Sequence, residues 1–72
     1  MNAKIDTFAL LEQVMVFGWI RCSRLEASAL LMDRGIPYKG NVYTLSRIEN
    51  LGAGVYEIHK EDYTRHYRRT YY

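Results

Sequence analysis

The spacing of apolar and polar positions along the chain predicts three helices followed by an extended segment. In "DTFALLEQVMVFG", Asp6 or Thr7 can cap a helix over about 7–17, and Gly18 closes it. Phe8, Leu11 and Met15 form one apolar face of that helix, and Leu10, Val14 and Phe17 form another. "WIRC" then reads as a short extended link. Ser23 followed by Glu26 has the spacing of a capping box, so a second helix over about 23–34 is expected. Gly35 should end it with a left-handed turn, and Pro37 blocks continuation.

The stretch "NVYTLSRIENLG" supports two assignments. As a strand paired with "GVYEIHK" it would carry Val42, Thr44, Ser46 and Ile48 on one face and Tyr43, Leu45, Arg47 and Glu49 on the other, neither cleanly apolar. As a helix over about 41–51, Asn41 caps it, Val42, Leu45, Ile48 and Leu51 face inward, and Gly52 closes it. The spacing favours the helix.

With "LLEQVMVFGWI" as first helix and short strand, "RLEASALLMDRGI" as second helix and turn, and "VYTLSRIENLGAGVYEI" as third helix entering a wing, the chain resembles the winged helix-turn-helix family from about Asp6 to Arg69. The resemblance implies a mainly α fold with a small β-hairpin (α+β), a single domain over 1–72 and a wing over about 55–69. Departures are a second helix about a turn longer than usual, the extra residue in "GAG" and a wing tip "KED" without glycine. The ending "VYEIHKEDYTRHY" also resembles the strand-then-helix close of small phage excisionases, with Tyr63, Tyr67 and Tyr71 in a stripe.

At 72 residues there is room for one small core, which makes self-association an expectation. The 49% hydrophobic content fits a folded chain, and Cys22 has no partner for an internal disulfide, which favours a reducing compartment. The apolar run from Phe8 to Ile20 is too short to span a bilayer and lacks signal-peptide features, so a soluble, cytoplasmic protein with no membrane partner is expected. The net charge of +2 is uneven: the stretch from Arg65 carries three arginines and His66 without an acid.

The family resemblance implies double-stranded DNA as partner and a regulatory or recombination role. Tyr43, Thr44, Ser46 and Arg47 would read bases from the outward face of helix 41–51. Arg65, Arg68 and Arg69 would hold phosphates, with Arg24, Lys39, Asn41, Lys60 and His66 completing the candidate DNA-contacting set. A homodimer through Leu10, Val14 and Phe17 would set two recognition helices about 34 Å apart. Catalytic residues, metal ligands and cofactors are not expected: His59 and His66 lie seven apart with Cys22 remote, and Asp62 with His66 reads as a surface ion pair. "CSRLEASALLMDRGIPY" resembles the active-site helix of glutaredoxins, with Leu25 at the second cysteine position. The alternative is a small protein-binding inhibitor like the anti-CRISPR proteins, acting on a host protein or nucleoprotein complex. That alternative goes with a strand at 41–52.

Overall fold

A computed structural model describes residues 5–67. Its first element, α1, spans Thr7–Phe17. The Asp6 carboxylate accepts from the Ala9 amide at 3.0 Å, and Gly18 (φ 91°) closes the helix, donating its N–H to the Val14 carbonyl. Strand β1, Trp19–Ser23, alternates exposed and buried residues, with Ile20 and Cys22 inward. Ser23 then caps α2, Arg24–Met32, through a full capping box with Glu26. Asp33 ends α2 in extended geometry, so Gly35 is no left-handed cap. Gly35 serves close packing instead: a Cβ there would sit 3.3 Å from Val42 Cγ1. The Thr7 hydroxyl donates to Asp33 at 2.7 Å, tying the start of α1 to the end of α2.

From here the chain is extended. It forms β2 (Ile36–Tyr38), β3 (Asn41–Leu45), β4 (Glu49–Gly52), β5 (Val55–His59), a 3-10 turn (Lys60–Asp62) and β6 (Tyr63–Tyr67). Two three-stranded antiparallel sheets result, the first ordered β1-β5-β4 and the second β2-β3-β6.

The expected three-helix winged fold is therefore overturned, and an α+β fold with two α-helices and six strands among the described residues replaces it. Its third helix, 41–51, is two strands in different sheets. The wing at 55–69 is not a hairpin either, because β5 and β6 also belong to different sheets. Turn geometry gives the reason. Lys39 (φ 48°) with Gly40 (φ 83°), and Ala53 (φ 55°) with Gly54 (φ 77°), each form a two-residue link between paired strands. Two consecutive positive φ values are what tight antiparallel hairpins require, and the strands paired on either side of each link leave no helix between them. Gly52 is likewise no helix end; it takes part in a bulge, donating its N–H to the Asn50 side chain at 2.9 Å.

One core joins both sheets to the helices. Leu11 and Val14 of α1, Ala27 and Leu30 of α2, Ile36 of β2 and Ile58 of β5 are essentially inaccessible, and Ile20, Cys22, Tyr38, Leu45 and Tyr63 surround them. Each large apolar side chain so buried contributes roughly 1.5–3 kcal/mol. Phe8, Tyr38, Tyr43 and Tyr63 form a chain of tilted and edge-on rings with centroids 6.0, 6.1 and 6.3 Å apart. Of the trio expected to form a dimer face, Val14 is fully buried in the core and so cannot take part, Leu10 is half-buried against the core and Phe17 is exposed. Among the described residues no helix is long and apolar enough to cross a membrane.

Candidate functional site

Strand alternation gives each sheet an inner face on the core and an outer face, and the two outer faces differ chemically. On the first sheet, Trp19, Arg21 and Ser23 of β1 lie opposite His59, Glu57 and Val55 of β5, and Glu49 of β4 lies opposite Glu57. Arg21 Nε donates to Glu57 Oε2 at 3.0 Å, and its guanidinium stands 5.4 Å from the Trp19 ring centre. His59 Nε2 meets Glu57 Oε1 at 2.8 Å and Glu49 Oε1 at 3.4 Å, while Nδ1 is 3.7 Å from Glu61 Oε1.

The Arg21 hydrogen bond, with help from His59, holds the Glu57 carboxyl below its usual range. Partial burial works against a charged His59 imidazole, but its contacts with Glu57, Glu61 and Glu49 outweigh it and raise the pKa. Glu49, Glu57 and His59 offer one ligand atom each, all within 4.8 Å of one another.

Sequence reasoning missed this cluster. Its signal is the Glu57-x-His59 spacing, which puts two ligands on one face of a strand, whereas the i, i+3 and i, i+4 pairs weighed in the sequence belong to helices.

The second sheet's outer face is uncharged apart from His66. Val42 lies opposite His66, and Thr44 opposite Thr64. The Thr44 hydroxyl donates to the Arg34 carbonyl at 2.9 Å, and Ser46 and Thr64 share a hydrogen bond of 3.3 Å. Basic residues border this sheet: Arg34 before β2, Lys39 in the β2–β3 turn and Arg47 after β3, while Arg65 in β6 shares the face of Tyr43 and Tyr63 by strand register.

The sequence-derived DNA set is thus divided. Thr44, Ser46 and His66 come together on the second sheet, with Lys39 and Arg47 at its borders and Arg65 on its other face. Tyr43 is no base reader, because its ring is locked between Tyr38 and Tyr63. Asn41 is half-buried at the start of β3 and caps nothing. Arg24 opens α2, and Lys60 opens the 3-10 turn with its N–H on the Gly18 carbonyl, so both lie away from this sheet. Arg68 and Arg69 lie outside the described residues, as does Tyr71 of the expected tyrosine stripe. Asp62 engages Arg47 at 3.8 Å, so its expected pairing with His66 is replaced.

Cys22 does not act as a helix-start nucleophile. It lies in β1, buried, and burial first and the Glu26 charge second push its thiol pKa up, whereas reactive thiols have a lowered one.

Compared with protein-family models, curated proteins and solved structures, the chain matches none at a significant level.

Proposed function

We propose that the protein works by binding and not by catalysis, and that it engages duplex DNA with the β3–β6 ribbon of the second sheet. The observation that carries this is the separation of charge between the sheets. Glu49, Glu57 and Glu61 gather on or beside the first against Arg21, while Arg34, Lys39, Arg47 and Arg65 lie on or beside the second against Asp33 and Asp62, the latter 3.8 Å from Arg47. Between residues 5 and 67 seven lysines and arginines stand against eight acids, so the chain's positive excess resides in Lys4, Arg68 and Arg69. The last two follow β6 directly in sequence.

Beyond Tyr43, where β2 no longer pairs with β3, the sheet narrows to two antiparallel strands, a width that fits the major groove, and Thr44 and Thr64 on the outer face there, with His66 beside them, are short donors and acceptors suited to base edges. The flanking cations take phosphates. A helix at 41–51 as the reading element is replaced by this ribbon. The setting is a reducing, cytoplasmic one, where Cys22 stays a thiol.

The test is a gel shift against specific and random duplex at two salt concentrations. The triple variant Arg34→Ala, Lys39→Ala, Arg47→Ala should weaken binding to every sequence and lower the salt slope by about 1 for each phosphate no longer neutralised. Thr64→Ala with His66→Ala should relax sequence preference and leave the salt slope alone. Undiminished binding by the triple variant refutes the surface assignment.

A second reading, a small inhibitor that docks on a host protein, is favoured by exposed apolar side chains away from this ribbon. Phe17 is 71% exposed, Leu25 74% and Met32 79%. Absence of any duplex binding by the wild-type chain would favour it.

A further inference from the structure

We infer that Glu49, Glu57 and His59 form a three-ligand site for a first-row divalent metal ion of the Zn2+ type on the outer face of the first sheet. This is independent of the DNA reading, since it lies on the other sheet. Glu49 and Glu57 are directly opposite on β4 and β5, and facing like charges destabilise a strand pair unless a cation lies between them. His59, two residues beyond Glu57 on the same face, brings an imidazole nitrogen to both carboxylates.

Ligand atoms bonded to one tetrahedral Zn2+ at about 2.0–2.2 Å stand roughly 3.3 Å apart. The Nε2 contacts of 2.8 and 3.4 Å bracket that separation, so a metal can take the place of the Nε2 proton with small side-chain shifts.

The surroundings are those of a held site. Arg21 fixes Glu57 through Oε2 and leaves Oε1 facing His59, and the Glu61 carboxylate lies 3.7 Å from Nδ1, the ring nitrogen a bound metal would leave unused. With a small side-chain shift the exposed Glu61 carboxylate comes within hydrogen-bond reach of that nitrogen, where it would orient the ring and raise its basicity. Three carboxylates face one arginine and one histidine here, so a divalent cation balances the charge. A nitrogen donor beside two carboxylates favours Zn2+ or Co2+ over the hard cations Mg2+ and Ca2+, which take oxygen ligands. The three protein ligands leave positions open to solvent, where water or an acidic group of a partner can bind.

The chain carries its own reporter. Trp19, its one tryptophan, lies directly opposite His59 in the β1–β5 register. Zn2+ is titrated into the intact chain by calorimetry, and Co2+ by quenching of Trp19 fluorescence, with circular dichroism to check the fold.

One ion should bind per chain. His59→Gln and Glu49→Gln should each weaken binding at least about tenfold, while His66→Gln leaves it unchanged. Glu49 is exposed on an edge strand, so its variant keeps the fold even if substitution at His59 disturbs it. Three results overturn the inference: no saturable binding up to millimolar Zn2+, which reduces the cluster to an ion-pair network; affinity undiminished in Glu49→Gln; or Mg2+ displacing Co2+ on equal terms, which would mean binding by carboxylate oxygens without the imidazole.

Discussion

The two sheets have the same strand count and the same kind of construction. Each combines one tight hairpin, β4–β5 or β2–β3, with one strand recruited from far along the chain, β1 or β6. They solve the problem of a half-exposed sheet differently. The first covers its outer face with charges that satisfy one another, Arg21, Glu57, His59 and Glu49. The second keeps that face mostly neutral, places cations at its borders and fills its inner side with tyrosines. A face that gathers carboxylates round one imidazole suits a single ion, the ligand inferred for it, and one with cations at its border suits an extended polyanion, the ligand proposed for it.

The inner faces can be compared by truncation. Ile58→Ala, in the central strand of the first sheet, should cost about 2–5 kcal/mol in denaturant unfolding, because the site is fully enclosed. A chain of this size has only several kcal/mol in total, so much of the population would unfold at room temperature.

Next come the hairpins. Gly40→Ala and Gly54→Ala each place a side chain in left-handed backbone and should cost about 1–2 kcal/mol, read as a lower unfolding midpoint. Equal losses would show that both sheets depend equally on their hairpins. A silent Gly54→Ala would assign the stability of the first sheet to the β1–β5 pairing.

Tyr63 sharpens the contrast on the second sheet. Its hydroxyl is buried and finds no partner within the described structure, so Tyr63→Phe should stabilise by roughly 1 kcal/mol. Burial first, then the neighbouring Cys22 and Asp33, raise the Tyr63 pKa far above that of a free tyrosine. A raised folded-state pKa gives stability that is intact below the ordinary tyrosine value of about 10 and lost as pH climbs beyond it, since only the unfolded chain ionises there. Thermal melts between neutral pH and about pH 11 should show that loss in the wild type and a smaller one in Tyr63→Phe. The smallest effect is expected at Arg21→Ala: an unchanged midpoint, because exposed ion pairs contribute little, but altered Trp19 emission as the cation leaves its ring.

The sequence discloses those elements whose signals are local. Asp6, Gly18 and the Ser23–Glu26 box speak through adjacent backbone groups, and α1 and α2 lie where those residues put them. The second half of the chain misleads because its glycines have two meanings. Gly40 and Gly54 complete hairpin turns whose first residues, Lys39 and Ala53, are not the usual asparagine or aspartate, so the turns go unread and the neighbouring Asn41 and Gly52 pass for the caps of a helix. The three-residue recurrence of Val42, Leu45, Ile48 and Leu51 is accidental: Leu45 is buried in the second sheet, and Leu51 lies in the bulge of the first. The metal-ligand cluster is hidden for the same cause, since Glu49 meets His59 only once the β4–β5 register exists.

The short 3-10 turn at Lys60–Asp62 joins the central strand of one sheet to an edge strand of the other. During synthesis the ribosome delivers α1, β1, α2 and the β2–β3 hairpin before either sheet can close. The first waits for β5, whose register pairs Trp19 with His59, and the second for β6, whose register pairs Asn41 with Tyr67. Until those strands emerge, Ile20, Leu30 and Leu45 have nothing complete to pack against. Pairings of such long sequence separation form slowly and leave strand edges open meanwhile. The nascent chain therefore acquires its core in one late step, when a single stretch of about 13 residues supplies the missing strand of both sheets.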